Sequence, residues 1–175
     1  MKKLDLHVHT MFSRDSSLDL KMLARLIRKL DLYLAITDHN TIRGAVVFRK
    51  TFKDLRSRVI VGEEVKTLQG EVIGLFLQEE VKPFRDVFET IDEIRSQGGL
   101  VLVPHPFDSF RRSRLRQDLI LKVKPDIIEV FNARTILNKY NVKAFNFAKK
   151  HGLLMGVGSD SHFWFELASC YALVH

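Results

Sequence analysis

A chain of 175 residues, 46% hydrophobic and 28% charged, has room for one globular domain with a sizeable core and not for two. Its single cysteine, Cys170, excludes an internal disulfide, and no apolar run approaches the ~18 residues of a membrane span. The formal charge of +7 favours anionic partners, although any single Lys or Arg reads more readily as part of a solvated helix face.

Behind Lys2 and Lys3 the run is interrupted by Asp5, His7 and His9, so no signal peptide is expected and the chain reads as cytoplasmic. Leu4–Val8 predicts a strand. Leu18–Leu30 predicts a helix, capped by Ser16 or Ser17, with Leu23, Leu26, Ile27 and Leu30 on one face. Leu32–Thr37 is a second strand, residues 42–55 a helix, and Arg58–Val61 a short third strand. Val72–Leu77 follows after a Gln69–Gly70 turn; with no helix between, it predicts a hairpin or a local excursion. Pro83 is expected to open a helix that Gly98–Gly99 closes. Leu100–Val103 is a strand, Ser113–Val123 a helix, Asp126–Phe131 a strand, and residues 135–150 a helix ending at Gly152. Leu153–Val157 and Cys170–Val174 complete the strands.

Alternating strands and helices, with strands apolar on both faces, predict a parallel α/β fold. An open sheet and a closed barrel share this pattern, and the polar residues decide between them. His7 and His9, Asp38 and His39, Glu64, His105, Glu129 and Asn132, and Asp160 and His162 each fall at or just past a strand's C-terminal end. Those ends converge in a barrel, where barrel enzymes carry their active sites, and would be spread along a line in an open sheet.

His7-Val8-His9 places two imidazoles on one side of a strand, where they can chelate an ion; half-exposed core histidines are the plainer reading. Asp38 reads as a helix cap or a site residue, and His39 adds a third imidazole. Of the adjacent Glu63 and Glu64 only one can face the site, and Glu64 is expected to be that one. Prolines on both sides hold His105 on a rigid exit loop. Asp160 and His162 form a D-x-H in a turn of small residues. Each residue has a bland explanation, but together they would crowd unpaired polar groups into one mouth, and metal ions satisfy them at once. The mixed imidazole and carboxylate donors suit Zn, Mn or Fe better than Mg. His151 and His175 read as structural or incidental.

The ordered set DLHVHTMFSRDSS, AITDHNT, GEE, PHPF and GSDSH, running from Asp5 to His162, resembles the PHP (polymerase and histidinol phosphatase) family, in particular its small stand-alone phosphoesterases. The resemblance implies a distorted seven-stranded parallel β/α barrel and two or three divalent ions. His7, His9, Glu64 and Asp160 would hold one ion, Glu64 would bridge to a second held with His105, and Asp15, His39 and His162 would hold a third. Glu71 stands where many members have histidine, and Asp15 where some do; both make the site harder and more negative. Glu129 and Asn132 are expected beside the ligands. The implied activity is hydrolysis of a phosphate ester, in a nucleotide or small phosphorylated metabolite, by a hydroxide bridging two ions. Asp38 would orient a ligand or move a proton. Arg111, in the arginine-dense stretch after His105, would bind phosphate, a solvated helix start being the alternative. Three other readings compete: an exonuclease or oligonucleotide-processing protein, a metal-free interaction module, and an amidohydrolase barrel. The last lacks its bridging lysine here, and no aromatic-and-basic strand pattern supports a single-strand platform.

Overall fold

The computed structural model describes residues 1–175. Eight strands form one sheet, β1 (Lys2–Val8), β2 (Leu32–Ile36), β3 (Val59–Thr67), β4 (Gly70–Leu75), β5 (Leu100–Val103), β6 (Ile127–Asn132), β7 (Leu154–Gly158) and β8 (Ala172–Val174), in the order β7-β6-β5-β4-β3-β2-β1-β8. The sheet curls into a nearly closed barrel. β1 joins the stretch after β7 through Asp160 N–H to the His7 carbonyl, 2.7 Å, and His9 N–H to the Ser161 carbonyl, 2.9 Å. β8 pairs with the first residues of β1. Leu6, Ala35, Ile73, Leu75 and Leu102 fill the interior beneath the mouth. The larger core, which includes Leu23, Ile27, Phe48, Ile94 and Ala148, lies between the sheet and its helices. No helix is long and apolar enough to cross a membrane.

Not every strand is parallel. β4 runs antiparallel to both β3 and β5, and β8 antiparallel to β1. Only two residues join β3 to β4, too few for the crossover a parallel pair requires. β3 is also longer than predicted, reaching Thr67, because Glu63 and Glu64 stay within the strand and are buried.

Helix boundaries differ from those expected. In α1 (Leu20–Leu30) the cap is Asp19, whose carboxylate accepts from Lys21 N–H and Met22 N–H at 2.9 Å each, and not Ser16 or Ser17. Those serines instead bind the His162 carbonyl, through Ser16 Oγ–H at 2.9 Å and Ser17 N–H at 3.0 Å. The helix expected over 42–55 is divided at Phe52 into α2 (Arg43–Thr51) and a 3₁₀ helix (Lys53–Arg58). α3 (Val87–Ser96) begins after Asp86, its cap, four residues beyond Pro83. α4 (Lys139–His151) ends at Gly152 as expected.

No regular helix forms over Ser113–Val123. Its backbone is claimed by the β3–β4 hairpin: Glu71 N–H donates to the Ser113 carbonyl at 2.7 Å, and Arg116 N–H to that of Gln69 at 3.1 Å. Gly70 makes this approach possible, since a Cβ there would lie 2.4 Å from the Leu115 Cα. The remainder folds as consecutive turns that bury Leu115, Ile120 and Val123.

Candidate metal centre

Backbone irregularities aim the polar residues into the mouth. Between Asp5 and Val8, two residues of β1 oppose one of β2, and the extra residue lets Leu6 fill the interior while His7 and His9 enter the site. A matching bulge between Glu129 and Phe131 of β6 brings Glu129 and Asn132, three apart, to the same place. His105 and Asp160 have φ of 31° and 54°, a left-handed backbone that costs a non-glycine residue about 1–3 kcal/mol. Gly158 admits both His7 and Glu129, because a Cβ there would lie 2.3 Å from the His7 Cβ and from Glu129 Oε1.

Three ligand groups result, each with donor atoms within 4.8 Å of one another: His7, His9 and Glu64; Glu64, Glu71 and His105; and His9, His39 and His162. Asp160 Oδ1 adjoins the first, 3.6 Å from His7 Nε2 and 3.4 Å from His9 Nε2. Asp15, 59% exposed at the rim, completes the third, 3.3 Å from His162 Nε2 and 3.5 Å from His39 Nε2. Glu64 belongs to the first two groups and borders the third: one oxygen is 3.0 Å from His39 Nδ1 and 3.4 Å from His9 Nε2, the other 3.2 Å from His105 Nε2. Glu63 turns away, accepting Val81 N–H at 2.9 Å.

Hydrogen-bond accounting shows that this cluster fits cations. His7 Nδ1–H donates to Glu129 Oε1 at 3.0 Å, leaving Nε2 with its lone pair. Ser13 Oγ gives its proton to Asp38 at 2.8 Å and accepts His39 N–H, so it can only accept from His9 Nδ1–H, at 3.1 Å. The two Nε2 lone pairs therefore face each other at 3.0 Å, which requires a positive charge between them. Burial pushes the His9 imidazole down to about 4. Burial lowers His7 as well, but Asp160, Glu129 and Glu64 override it and hold His7 well above its ordinary value, so in the bare chain one proton occupies the cation's place. Asp160 Oδ1 and His105 Nδ1 are buried without any hydrogen-bond partner. Burial raises Asp160 and Glu64, yet the neighbouring imidazoles outweigh it and hold both carboxyls well below the usual range.

Asp38 sits behind this layer. It accepts from Thr10 N–H at 2.6 Å, Thr10 Oγ–H at 2.8 Å and Ser13 Oγ–H, and so positions His9 through Ser13. It does not cap α2, where Thr41 Oγ1 accepts the Arg43 N–H at 3.1 Å. Glu71 lies 3.5 Å from Lys66 Nζ and 4.0 Å from His105 Nε2, and burial with the nearby Glu64 charge raises its carboxyl. Arg111 reaches into the mouth, 2.5 Å from Asp160 Oδ2.

Sequence reasoning overlooked three participants. Ser13 links Asp38 to His9. Asp5 accepts His7 N–H at 3.2 Å and Ser159 N–H at 2.9 Å, tying β1 to the end of β7. Arg134 shares with Arg111 a cleft of about 410 Å³, whose other lining residues are Asp15, His39, Glu71, Ser113 and His162, with no apolar side chain. The place of Asp5 in DLHVH was a usable signal; Ser13 and Arg134 had none.

Against known families, the PHP domain matches residues 5–144, a span that holds every one of these ligands except Asp160 and His162. The chain belongs to the PHP domain family. The PHP-associated family matches residues 138–175 and covers those last two ligands. An uncharacterized protein of Methanocaldococcus jannaschii is 37% identical over 174 residues, which cover 97% of this PHP chain and 69% of that relative. A second uncharacterized protein of that organism is 38% identical over 142 residues, covering 75% of this chain and 82% of its own length. A two-domain protein of Bacteroides vulgatus, containing a predicted PHP-like metal-dependent phosphoesterase, superposes with a TM-score of 0.75 over 94% of this chain. At 21% identity that likeness shows the fold, and this chain spans 53% of that protein.

Proposed function

We propose that this PHP chain is a metal-dependent hydrolase of phosphate esters, acting on a nucleotide or a small phosphorylated metabolite with two or three Zn, Mn or Fe ions. The observation that carries the reading is the pair of imidazole lone pairs facing each other at 3.0 Å within a ring of carboxylates. His7, His9, Glu64 and Asp160 would hold one ion, Glu64, Glu71 and His105 a second, and Asp15, His39 and His162 a third. Such ions, when bound, lower the pKa of a coordinated water and neutralise charge on phosphoryl oxygens. Glu129 and the Asp38–Ser13 pair keep the ring protons of His7 and His9 on the nitrogens facing away from the ions. Arg111 and Arg134, flanking the polar cleft, bind the phosphoryl oxygens and keep the ester at the mouth. The metal-free interaction module is less well supported, since a scaffold without chemistry gains nothing from opposed buried lone pairs.

The test begins by counting ions bound after incubation with Mn, Zn or Fe. A screen of aryl phosphate monoesters and diesters, mononucleotides and short oligonucleotides follows. Arg111→Ala is expected to raise KM by about tenfold or more with the bound metal unchanged. A chain that holds its ions and hydrolyses none of these esters would refute the proposal.

A further inference from the structure

A further sizeable cleft lies away from the mouth. It has a volume of about 710 Å³ and is lined by Val46, Arg49, Lys50, Lys53, Arg56 and Val61. α2 runs from the mouth back toward the start of β3, so its last turn and the 3₁₀ helix lie at the far end of the barrel. An adjoining cleft of about 330 Å³ shares Arg49, Arg56 and Val61 and extends the floor through Ile60, Phe76 and Leu77.

Four cations surround this space and none is neutralised. No carboxylate comes within 4.0 Å of Arg49, Lys50, Lys53 or Arg56, whereas their neighbour Arg58 is paired with Asp31. Asp54, the one acid between residues 49 and 58, is turned away to Arg28 at 2.8 Å. The negative end of α2 offsets at most about half a charge. Arg49 Nε is buried with no hydrogen-bond partner. A second, independent feature marks the floor. Phe76 is 51% exposed and has φ of 63°, so a bulky aromatic is held both in water and in a left-handed backbone. Core packing does not explain that exposure, and the ring is open to stacking by a flat ligand.

A rim of unpaired cations over an apolar floor with an exposed ring suits a ligand carrying several negative charges at one end and a planar apolar group at the other. The volume is within the range of small-molecule sites. We propose that this cleft binds a nucleoside diphosphate or triphosphate, its phosphates on Arg49, Lys50, Lys53 and Arg56 and its base over Phe76 and the floor. Inorganic phosphate would leave the floor empty, and the cations are gathered around one pocket where a nucleic-acid strand would want them drawn out along a track.

The site is tested by calorimetric titration of the metal-loaded chain with ADP, pyrophosphate, adenosine and a twelve-residue thymidine oligonucleotide. Lys53→Glu/Arg56→Glu, at two exposed positions, should retain the wild-type melting temperature and ester hydrolysis while weakening ADP at least about tenfold. Phe76→Ala should weaken ADP and leave pyrophosphate unchanged, and Arg111→Ala should leave ADP bound. Three results would overturn the assignment: no ADP binding, ADP binding that is lost with Arg111 and kept in the double variant, or an oligonucleotide that binds more tightly than ADP and is weakened by the same charge reversal. Equal affinity for ADP and pyrophosphate would remove the base from the proposal and overturn the nucleoside part.

Discussion

Glu129 should matter to metal binding although it need touch no ion. One of its oxygens accepts His7 Nδ1–H at 3.0 Å; the other accepts His105 N–H at 2.6 Å and Asn132 Nδ2–H at 3.0 Å. In Glu129→Gln only one oxygen remains, and the His105 and Asn132 donors together compete for it. The amide NH₂ then faces His7 Nδ1, which must become an acceptor, and the ring proton moves to Nε2, where it occupies the lone pair directed at His9. Loss of such a supporting hydrogen bond typically costs about 10–100-fold in metal affinity, or about 1.4–2.7 kcal/mol. The loss should fall on the group holding His7, His9 and Asp160, while the ion at Asp15, His39 and His162 stays. Competition against a chelator with metal counting at each step would show one ion leaving early and the others at wild-type concentrations. Unchanged affinity at all sites, or equal weakening of all, would refute the tautomer argument.

Gly158→Ala should both destabilise the fold and weaken the same ion, because the new methyl meets His7 and Glu129 at 2.3 Å; overpacking of about 1–3 kcal/mol would lower Tm by roughly 2–4 °C per kcal/mol. Metal affinity should rise with pH. Burial lowers His39, but Glu64, Asp15 and Glu71 outweigh it and hold the imidazole at about 9 in the bare chain, so below that pH an ion must expel its proton. Chelator competition at about pH 6.5 and 8.5 checks this, and a flat affinity would contradict it. Cys170, whose thiol is pushed up by burial with the Asp5 and Glu129 charges adding to it, should be alkylated by iodoacetamide more than about tenfold more slowly than free cysteine, as followed by mass spectrometry.

Most of the strand pattern was legible because buried strands are near-continuous apolar runs, and the metal-ligand candidates because the ends of those strands carry His, Asp and Glu at spacings with few other uses. What stayed hidden depended on distant backbone. Ser113–Val123 has helical periodicity, yet its first residues bond to the hairpin at Gln69–Glu71, a partner more than forty residues earlier in the chain. The bulges that turn Glu129 and Asn132 inward are invisible to period-two reasoning, which places residues three apart on opposite faces. Ser16 and Ser17 look like helix caps until the His162 carbonyl, far along the chain, takes them.

The join between β1 and the turn after β7 includes hydrogen bonds from the Asp160 and His9 backbones, and those same residues would offer their side chains to one ion. The ion would thus act as a clasp on a hoop, so that fastening the hoop and equipping it for chemistry are a single event. A descendant that discarded the ligands would lose its clasp along with its reaction, and would first have to close the hoop by other means. Persistence of the shape and persistence of the chemistry are on this account inherited together.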